Sequence, residues 1–548
     1  MRLRHQPRSA GPLLLLAAAA LFLFGSAPLG SEPARPAAPE KPRLVVVVVI
    51  DQLRADYFER FRDRFVPDGF NRLRREGANF VACFYPYANT ETAPGHATIS
   101  TGTTPNRHGI SGNAWYDFER GRMVQAVEDD AYPPVGGGSR LPGLSPLKLI
   151  GSTLGDELRL ATGGQAKVWA VGIKDRAAIL LGGHAPTGAY WYDYDSGRFA
   201  TSRYYREALP EWIEAFNARR PADRYYGKDW KKGERVFLSM SAESGKPDAA
   251  FYRRLPYTPY GNELVLELAR EAVEREGLGG DETTDILFVA LCANDFVGHR
   301  WGPYSDEVAE MTLATDAQLA ELFQFLDARL GKENYWVALS ADHGVSPTLA
   351  QARARGLPAK NVPLAALTEA LNAAFAARWG EDEWLAARGE VVFNRETLRK
   401  HGVGVAEAAH LAGGALLGVD GVLGYVAGEE TRLDPELTKA VRLSRFRGRT
   451  PDVYVVLEPF ALVEGDRGGA THGSPFNYDT HVPLLLWGSA FRAGTYRERA
   501  TPADLATTLA AALGLTPPSL ADGQVLLQAL QQPEARPRRA KPGAGKTP

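Results

Sequence analysis

The sequence predicts an α/β protein with a mostly parallel central sheet, helices on both faces, and large insertions capping one rim. Three observations carry this prediction. Leu44–Ile50 is apolar and β-branched at nearly every position, the mark of a strand buried on both faces. Similar runs recur at 167–172, 286–291, 335–340 and 482–487. Several of these runs end at, or follow, polar residues of metal-ligand type: Asp51, then Asp295 and His299, then Asp342 and His343, with His472 ahead of the last run. Open α/β sheets hold their ligands at the carboxyl ends of strands.

The chain has 548 residues and a net charge of −2, which gives no global field toward nucleic acid, and no nucleic-acid partner is expected. Residues 1–27 read as a signal peptide: Arg2, Arg4 and Arg8, an apolar stretch Leu13–Phe24, then Gly25-Ser26-Ala27. That stretch is short for a spanning helix, and no other segment reaches spanning length. A periplasmic or secreted protein, with no membrane span after cleavage and monomeric, is therefore expected. Residues 28–42 form a Pro- and Ala-rich linker. Cys83 and Cys292 lie among apolar neighbours and read as buried thiols, since two cysteines make no disulfide framework.

From 43 to 520 the chain reads as one domain. Residues 56–76 carry helical periodicity broken at Pro67-Asp68-Gly69. Pro94 suits the first turn of a helix continuing through Ala97–Ser100, which sets Thr92 at its amino end. Intervals 115–280 and 346–450 read as insertions over the sheet rim, 501–514 as a capped helix, and 521–548 as a disordered tail.

Asp51, Asp295, His299, Asp342, His343 and His472 are metal-ligand types, and the Thr92 hydroxyl adds a seventh donor. Asp295 and His299 stand four apart, so one helical turn brings them to one point. Each residue alone has a plain alternative: Thr92 as an N-cap, a strand-end Asp as a cap or ion-pair partner, Asn113 as a turn residue, Lys174 and Arg176 as solvated surface charges. Their coincidence at successive strand ends is the informative feature, because burying that many charges without a cation is costly. Oxygen and imidazole donors without thiolate fit zinc, and seven donors suit two ions rather than one.

In order, Asp51, Thr92-Ala93-Pro94-Gly95-His96, Asn113, Lys174-Asp175-Arg176, Asp295-Phe296-Val297-Gly298-His299, Asp342-His343-Gly344 and Thr471-His472-Gly473 resemble the motifs of the alkaline phosphatase superfamily. More narrowly they resemble its threonine-nucleophile, phosphate-irrepressible bacterial alkaline phosphatases, relatives of the type I phosphodiesterase/nucleotide pyrophosphatases. The resemblance spans about residues 43 to 515. It implies an alkaline phosphatase-like fold and two Zn2+ ions, one held by Asp51, Thr92, Asp342 and His343, the other by Asp295, His299 and His472. It also implies Thr92 as nucleophile through a phosphothreonine intermediate, with Asn113, Lys174 and Arg176 on the phosphoryl oxygens. His481 competes with His472 as a ligand, but only His472 sits in a His-Gly turn. His96 is expected to be supporting or structural.

Lys174 and Arg176 supply the countercharge a monoester dianion needs, so a phosphate monoesterase is expected ahead of a phosphodiesterase or nucleotide pyrophosphatase. A sulfatase would need Cys or Ser at position 92 and Arg at 96, where this chain has Thr and His. A cytosolic phosphoglycerate mutase-like enzyme would use Ser. A non-catalytic metal-binding envelope protein would have lost some of these residues, and none is lost.

Overall fold

The computed structural model describes residues 41–138, 142–387, 389–463 and 469–531. The expected signal peptide 1–27, most of the expected linker (28–40) and the expected tail from residue 532 on lie outside the described residues.

Ten strands form the central sheet: β1 (Leu44–Ile50), β2 (Ala78–Phe84), β3 (Pro134–Val135), β4 (Val168–Gly172), β5 (Gly188–Asp193), β6 (Arg198–Ser202), β7 (Asp285–Leu291), β8 (Tyr335–Ser340), β9 (His481–Trp487) and β10 (Gly494–Tyr496). Their order across the sheet is β10-β2-β9-β8-β1-β7-β4-β5-β6-β3. The run β8-β1-β7-β4-β5 is parallel throughout. β1 lies at its centre, with Val46 opposite Leu287 on one side and Val337 on the other. Every residue of β1 is 0 % exposed, as its unbroken apolar run requires.

The flanks are mixed rather than parallel. β9 runs antiparallel to both β8 and β2, and β6 to β5. The β5–β6 connection spans only residues 194–197, too short for a parallel crossover, and Gly197 turns it with φ +70°.

Two sequence expectations change here. Interval 115–280 is not simply an insertion: it contributes β3, β4, β5 and β6, and its helix Pro259–Arg275 buries Leu264, Val265 and Leu268. Val168–Gly172 is buried throughout and pairs with β7, so the interval is part of the core. The expected tail also starts too early. Residues 521–531 are packed down, with Gln524 N–H donating to Asp504 (2.7 Å) and Leu526 N–H to Thr508 (3.0 Å).

Interval 346–450 carries a hydrophobic cluster of its own. Helices Leu364–Trp379 and Val405–Leu416 share a separate cluster with Phe375, Trp384 and Tyr425, beside the sheet Val422–Ala427, Glu430–Thr431 and Tyr454–Leu457. Cys83 and Cys292 are both buried and free, as expected.

Candidate active site

The topology explains why distant residues meet. β8, β1, β7 and β4 are adjacent and parallel, so Asp342-His343, Asp51, Asp295 and Lys174 leave the sheet at one edge. β9 is antiparallel to β2 and to β8, so β2 points the same way as β8 and delivers the loop to Thr92 at that edge. β9 itself begins there, which brings the preceding turn at His472 to the same rim.

Thr92 is the first residue of α1 (Thr92–Thr101), and the residue in the cap position is Glu91, whose side chain makes no cap bond. The N-cap alternative for Thr92 therefore fails. Its hydroxyl oxygen lies 3.1 Å from the Lys174 ammonium. Thr90 instead donates its hydroxyl to the Ser474 carbonyl at 3.0 Å. Gly95 is where α1 crosses Asp342: a Cβ there would stand 2.3 Å from the Asp342 carbonyl oxygen.

Lys174, just ahead of α2 (Asp175–Gly182), reaches Asp51 at 2.7 Å and Asp295 at 2.6 Å. Asp295 lies in α3 (Ala293–Trp301), with His299 one turn on and its Nε2 3.2 Å away. His343 Nε2 is 3.4 Å from Asp51 Oδ1 and 3.5 Å from Asp342 Oδ2. His472 Nε2 is 3.7 Å from Asp295 Oδ1.

The imidazoles carry the clearest sign of what this site holds. Each donates Nδ1–H to a backbone carbonyl: His299 to Ala470 (2.8 Å), His343 to Gly344 (2.8 Å), His472 to Thr90 (2.7 Å). Carbonyls only accept, so Nδ1 carries a proton in each ring; in His343 and His472, which burial keeps neutral, the Nε2 lone pair then faces the carboxylates, while Asp295 raises His299 against burial. Burial, followed by the neighbouring imidazoles His343 and His299, pushes His472 well below its ordinary value, and burial lowers His343 as well. Two lone-pair donors facing each other repel unless a cation lies between them. The buried atoms Asp51 Oδ1, Asp342 Oδ2 and His343 Nε2 have no hydrogen-bond partner among the described residues. The donor set is thus that of a metal centre, with ring orientation fixed from behind.

Charge balance agrees. Burial, then Asp342, holds the Asp51 carboxyl well above the usual range, despite Lys174. Against burial, Lys174 and then His299 hold Asp295 well below it. Two donor groups emerge, Asp295–His343–His472 and Asp51–Asp342–His343, so His343 belongs to both and its ring stacks on His472 at 3.6 Å. His299 faces Asp295 but is in neither group.

The remaining sequence candidates are also at the rim. Asn113 accepts from the Ala93 N–H at 2.9 Å and is held by its own N–H on Glu91 at 2.6 Å. Arg176 has a buried, unpartnered Nε. His96 donates Nδ1–H to the Thr92 carbonyl at 2.8 Å and lies 3.3 Å from Asp342. His481 instead bonds the Val81 carbonyl and stacks on Phe84, outside both donor groups.

Three supporting residues escaped sequence reasoning. Gln52 adopts φ +67°, donates its side-chain amide to Asp295 (2.6 Å) and its backbone N–H to Asp342 (3.0 Å), and so ties the two donor groups together. Gly298 leaves room for it: a Cβ there would stand 1.6 Å from Gln52 Oε1. Asp479 accepts from the Ser474 N–H (2.9 Å) and hydroxyl (2.6 Å), fixing the turn that carries His472. The adjacency of Gln52 to Asp51 was the only available signal.

Residues 45–475 match the family model for type I phosphodiesterase/nucleotide pyrophosphatase. The chain is 34% identical to the alkaline phosphatase PhoV of Synechococcus elongatus, over 90% of this chain and 93% of that one. It is 32% identical to the alkaline phosphatase PafA of Elizabethkingia meningoseptica, over 89% and 95%. A crystal structure of wild-type PafA superposes with a TM-score of 0.82 at 31% identity, covering 90% of this chain and 99% of that one. This chain belongs to the type I phosphodiesterase/nucleotide pyrophosphatase family, among its alkaline phosphatase relatives in the alkaline phosphatase superfamily.

Proposed function

We propose that this protein is a zinc-dependent phosphate monoester hydrolase that works through a phosphothreonine at Thr92 and releases inorganic phosphate. The observation that carries the proposal is the Thr92 hydroxyl: uncapped, at the amino end of α1, 3.1 Å from Lys174, at the rim where three carboxylates and three Nε2 atoms converge. Alkaline phosphatase relatives at 34% and 32% identity support it.

Asp51, Thr92, Asp342 and His343 would hold one zinc ion, and Asp295, His299 and His472 the other. Bound there, the pair supplies Lewis-acid charge at the attacking and leaving oxygens of an in-line displacement. The Thr92 hydroxyl gives its proton to solvent and its oxygen bonds to phosphorus as the ester P–O bond breaks; the departing oxygen takes a proton from solvent and leaves as the alcohol. Water then attacks the phosphothreonine, freeing phosphate and restoring the hydroxyl. Lys174, within reach of any group on the Thr92 oxygen, and Arg176 balance the charge of two phosphoryl oxygens. The Asn113 carboxamide, fixed through its oxygen by Ala93, offers its N–H donors to a third.

Export is proposed from the basic–apolar start of the sequence. No helix among the described residues is long and apolar enough to cross a membrane. The deciding experiment compares an aryl phosphate monoester with the matching diester. The wild type should prefer the monoester and lose activity to a chelator, with zinc restoring it. A Lys174→Ala, Arg176→Ala double variant should lose most of that preference. A wild type that prefers the diester overturns the monoesterase assignment.

A further inference from the structure

A cavity of about 880 Å³ lies beside the catalytic rim. Its near wall adjoins the site: Glu91 directly precedes Thr92, Gly112 directly precedes Asn113, and His472 is one of the three imidazoles. Its far wall sets apolar Leu364, Leu371, Trp384 and Val391 beside the acids Asp382, Glu383 and Glu390. The volume is that of a small-molecule pocket, on the side of the site where Glu91 and His472 lie.

The charges on this wall are one-sided. Glu390 lines the cavity, and its Oε2 is buried with no hydrogen-bond partner among the described residues. Glu91 and Tyr454 line the same cavity. Burial and then Glu91 push the Glu390 carboxyl up to about 7. Arg449, the one Lys or Arg among the described lining residues, is committed to the Gly109 and Lys148 carbonyls and to the Trp115 ring. Asp382 is already met by Lys400 at 2.6 Å, and Glu458 by Lys360 at 2.8 Å.

Building on the monoesterase reading, we infer that this cavity seats the alcohol portion of the ester and selects apolar alcohols that are uncharged or cationic over alcohols bearing a carboxylate or a second phosphate. A second anion there meets Glu91 and Glu390 with no free countercharge. An ammonium group supplies the partner that Glu390 lacks, and the apolar wall takes an aryl or alkyl body.

The test uses three aryl phosphates differing only in a para substituent: neutral, carboxylate or trimethylammonium. Their kcat/KM values are measured at about pH 9 with the wild type, Glu390→Gln, and Thr368→Lys on the lining helix. Taking each variant relative to the wild type cancels the leaving-group pKa. The cation-to-carboxylate preference should fall by about tenfold in Glu390→Gln and by at least as much in Thr368→Lys. An active wild type whose preference moves less than about twofold in both variants overturns this inference alone. A wild type inert toward all three esters overturns the monoesterase reading and this inference with it.

Discussion

The Lys174 ammonium stands 3.1 Å from the Thr92 hydroxyl oxygen while the same nitrogen bridges Asp51 and Asp295. One cation therefore touches the proposed nucleophile and a carboxylate from each donor group. Thr90, two residues away, is occupied in holding the Ser474 carbonyl. Thr92→Ala should lower kcat toward an aryl phosphate by at least about a thousandfold. Thr90→Ala should retain turnover and lose only about 1 kcal/mol of stability in urea. If Thr90→Ala is the inactive variant, the wrong hydroxyl has been assigned.

Gln52 should matter for the metal more than for the fold. Gln52→Ala removes the donor on Asp295 and should weaken zinc binding about 10- to 100-fold in chelator competition. Gln52→Gly keeps the backbone N–H to Asp342 and suits φ +67°, so it should be the more stable variant while binding zinc as poorly. Gly298→Ala should copy the affinity defect, since its Cβ would occupy the place of the Gln52 amide. Unchanged zinc affinity in all three would remove Gln52 from the site.

A glycine pair separates crowding from propensity. Gly95→Ala drives a methyl into the Asp342 backbone and should cost about 3 kcal/mol by denaturant titration of metal-free protein. Gly414→Ala, in a helix where nothing lies within 4 Å of the new Cβ, should gain up to about 1 kcal/mol. Equal effects would mean that α1 does not rest on Asp342 as described.

Glu390 gives a pH signature in stability. Its folded-state pKa, about 7, is above its ordinary 4.5, so folding favours the protonated acid. The native state then binds more protons than the unfolded one between those values, and stability from this group falls as pH rises through that window. Glu390→Gln should be more stable than the wild type above pH 7, by at most about 3 kcal/mol, with the gap closing toward pH 4.5. A pH-independent difference would contradict the burial assigned to this carboxyl.

The imidazoles should keep their tautomers whether or not metal is bound. In metal-free protein His343 and His472 should be neutral at pH 7, because burial lowers both. Their ring NMR signals should show Nδ1–H tautomers before and after chelation. A shift to Nε2–H would mean that the carbonyls of Gly344 and Thr90 do not set ring orientation.

The strand-end acids were legible because β1, β7 and β8 are buried on both faces, and a run without polar positions has a visible end. Thr92 was legible through Pro94, which marks a helix start whatever packs around it. Gln52 was not, because its role depends on a left-handed backbone that only its contacts with Asp295 and Asp342 impose. In interval 115–280 the run at 167–172 was legible as a strand, but β5 and β6 were not, because their aromatic and polar residues (Tyr190-Trp191-Tyr192-Asp193, Arg198–Ser202) lack the unbroken β-branched pattern. The cavity wall was invisible because lining residues such as Leu364, Glu390, Tyr454 and His472 meet only in three dimensions.

The position of β9 has a consequence for how the molecule is made. β2, from residues 78–84, and β8, from residues 335–340, never touch in the sheet; β9, from residues 481–487, stands between them and bonds to both. Until that late segment emerges, two strand edges stay open, and open edges invite wrong pairing and aggregation. The same segment is preceded by the turn bearing His472. Closing the sheet and completing the donor set are thus one event near the end of synthesis, so a shortened chain ending before residue 471 would be both sticky and unable to assemble its centre.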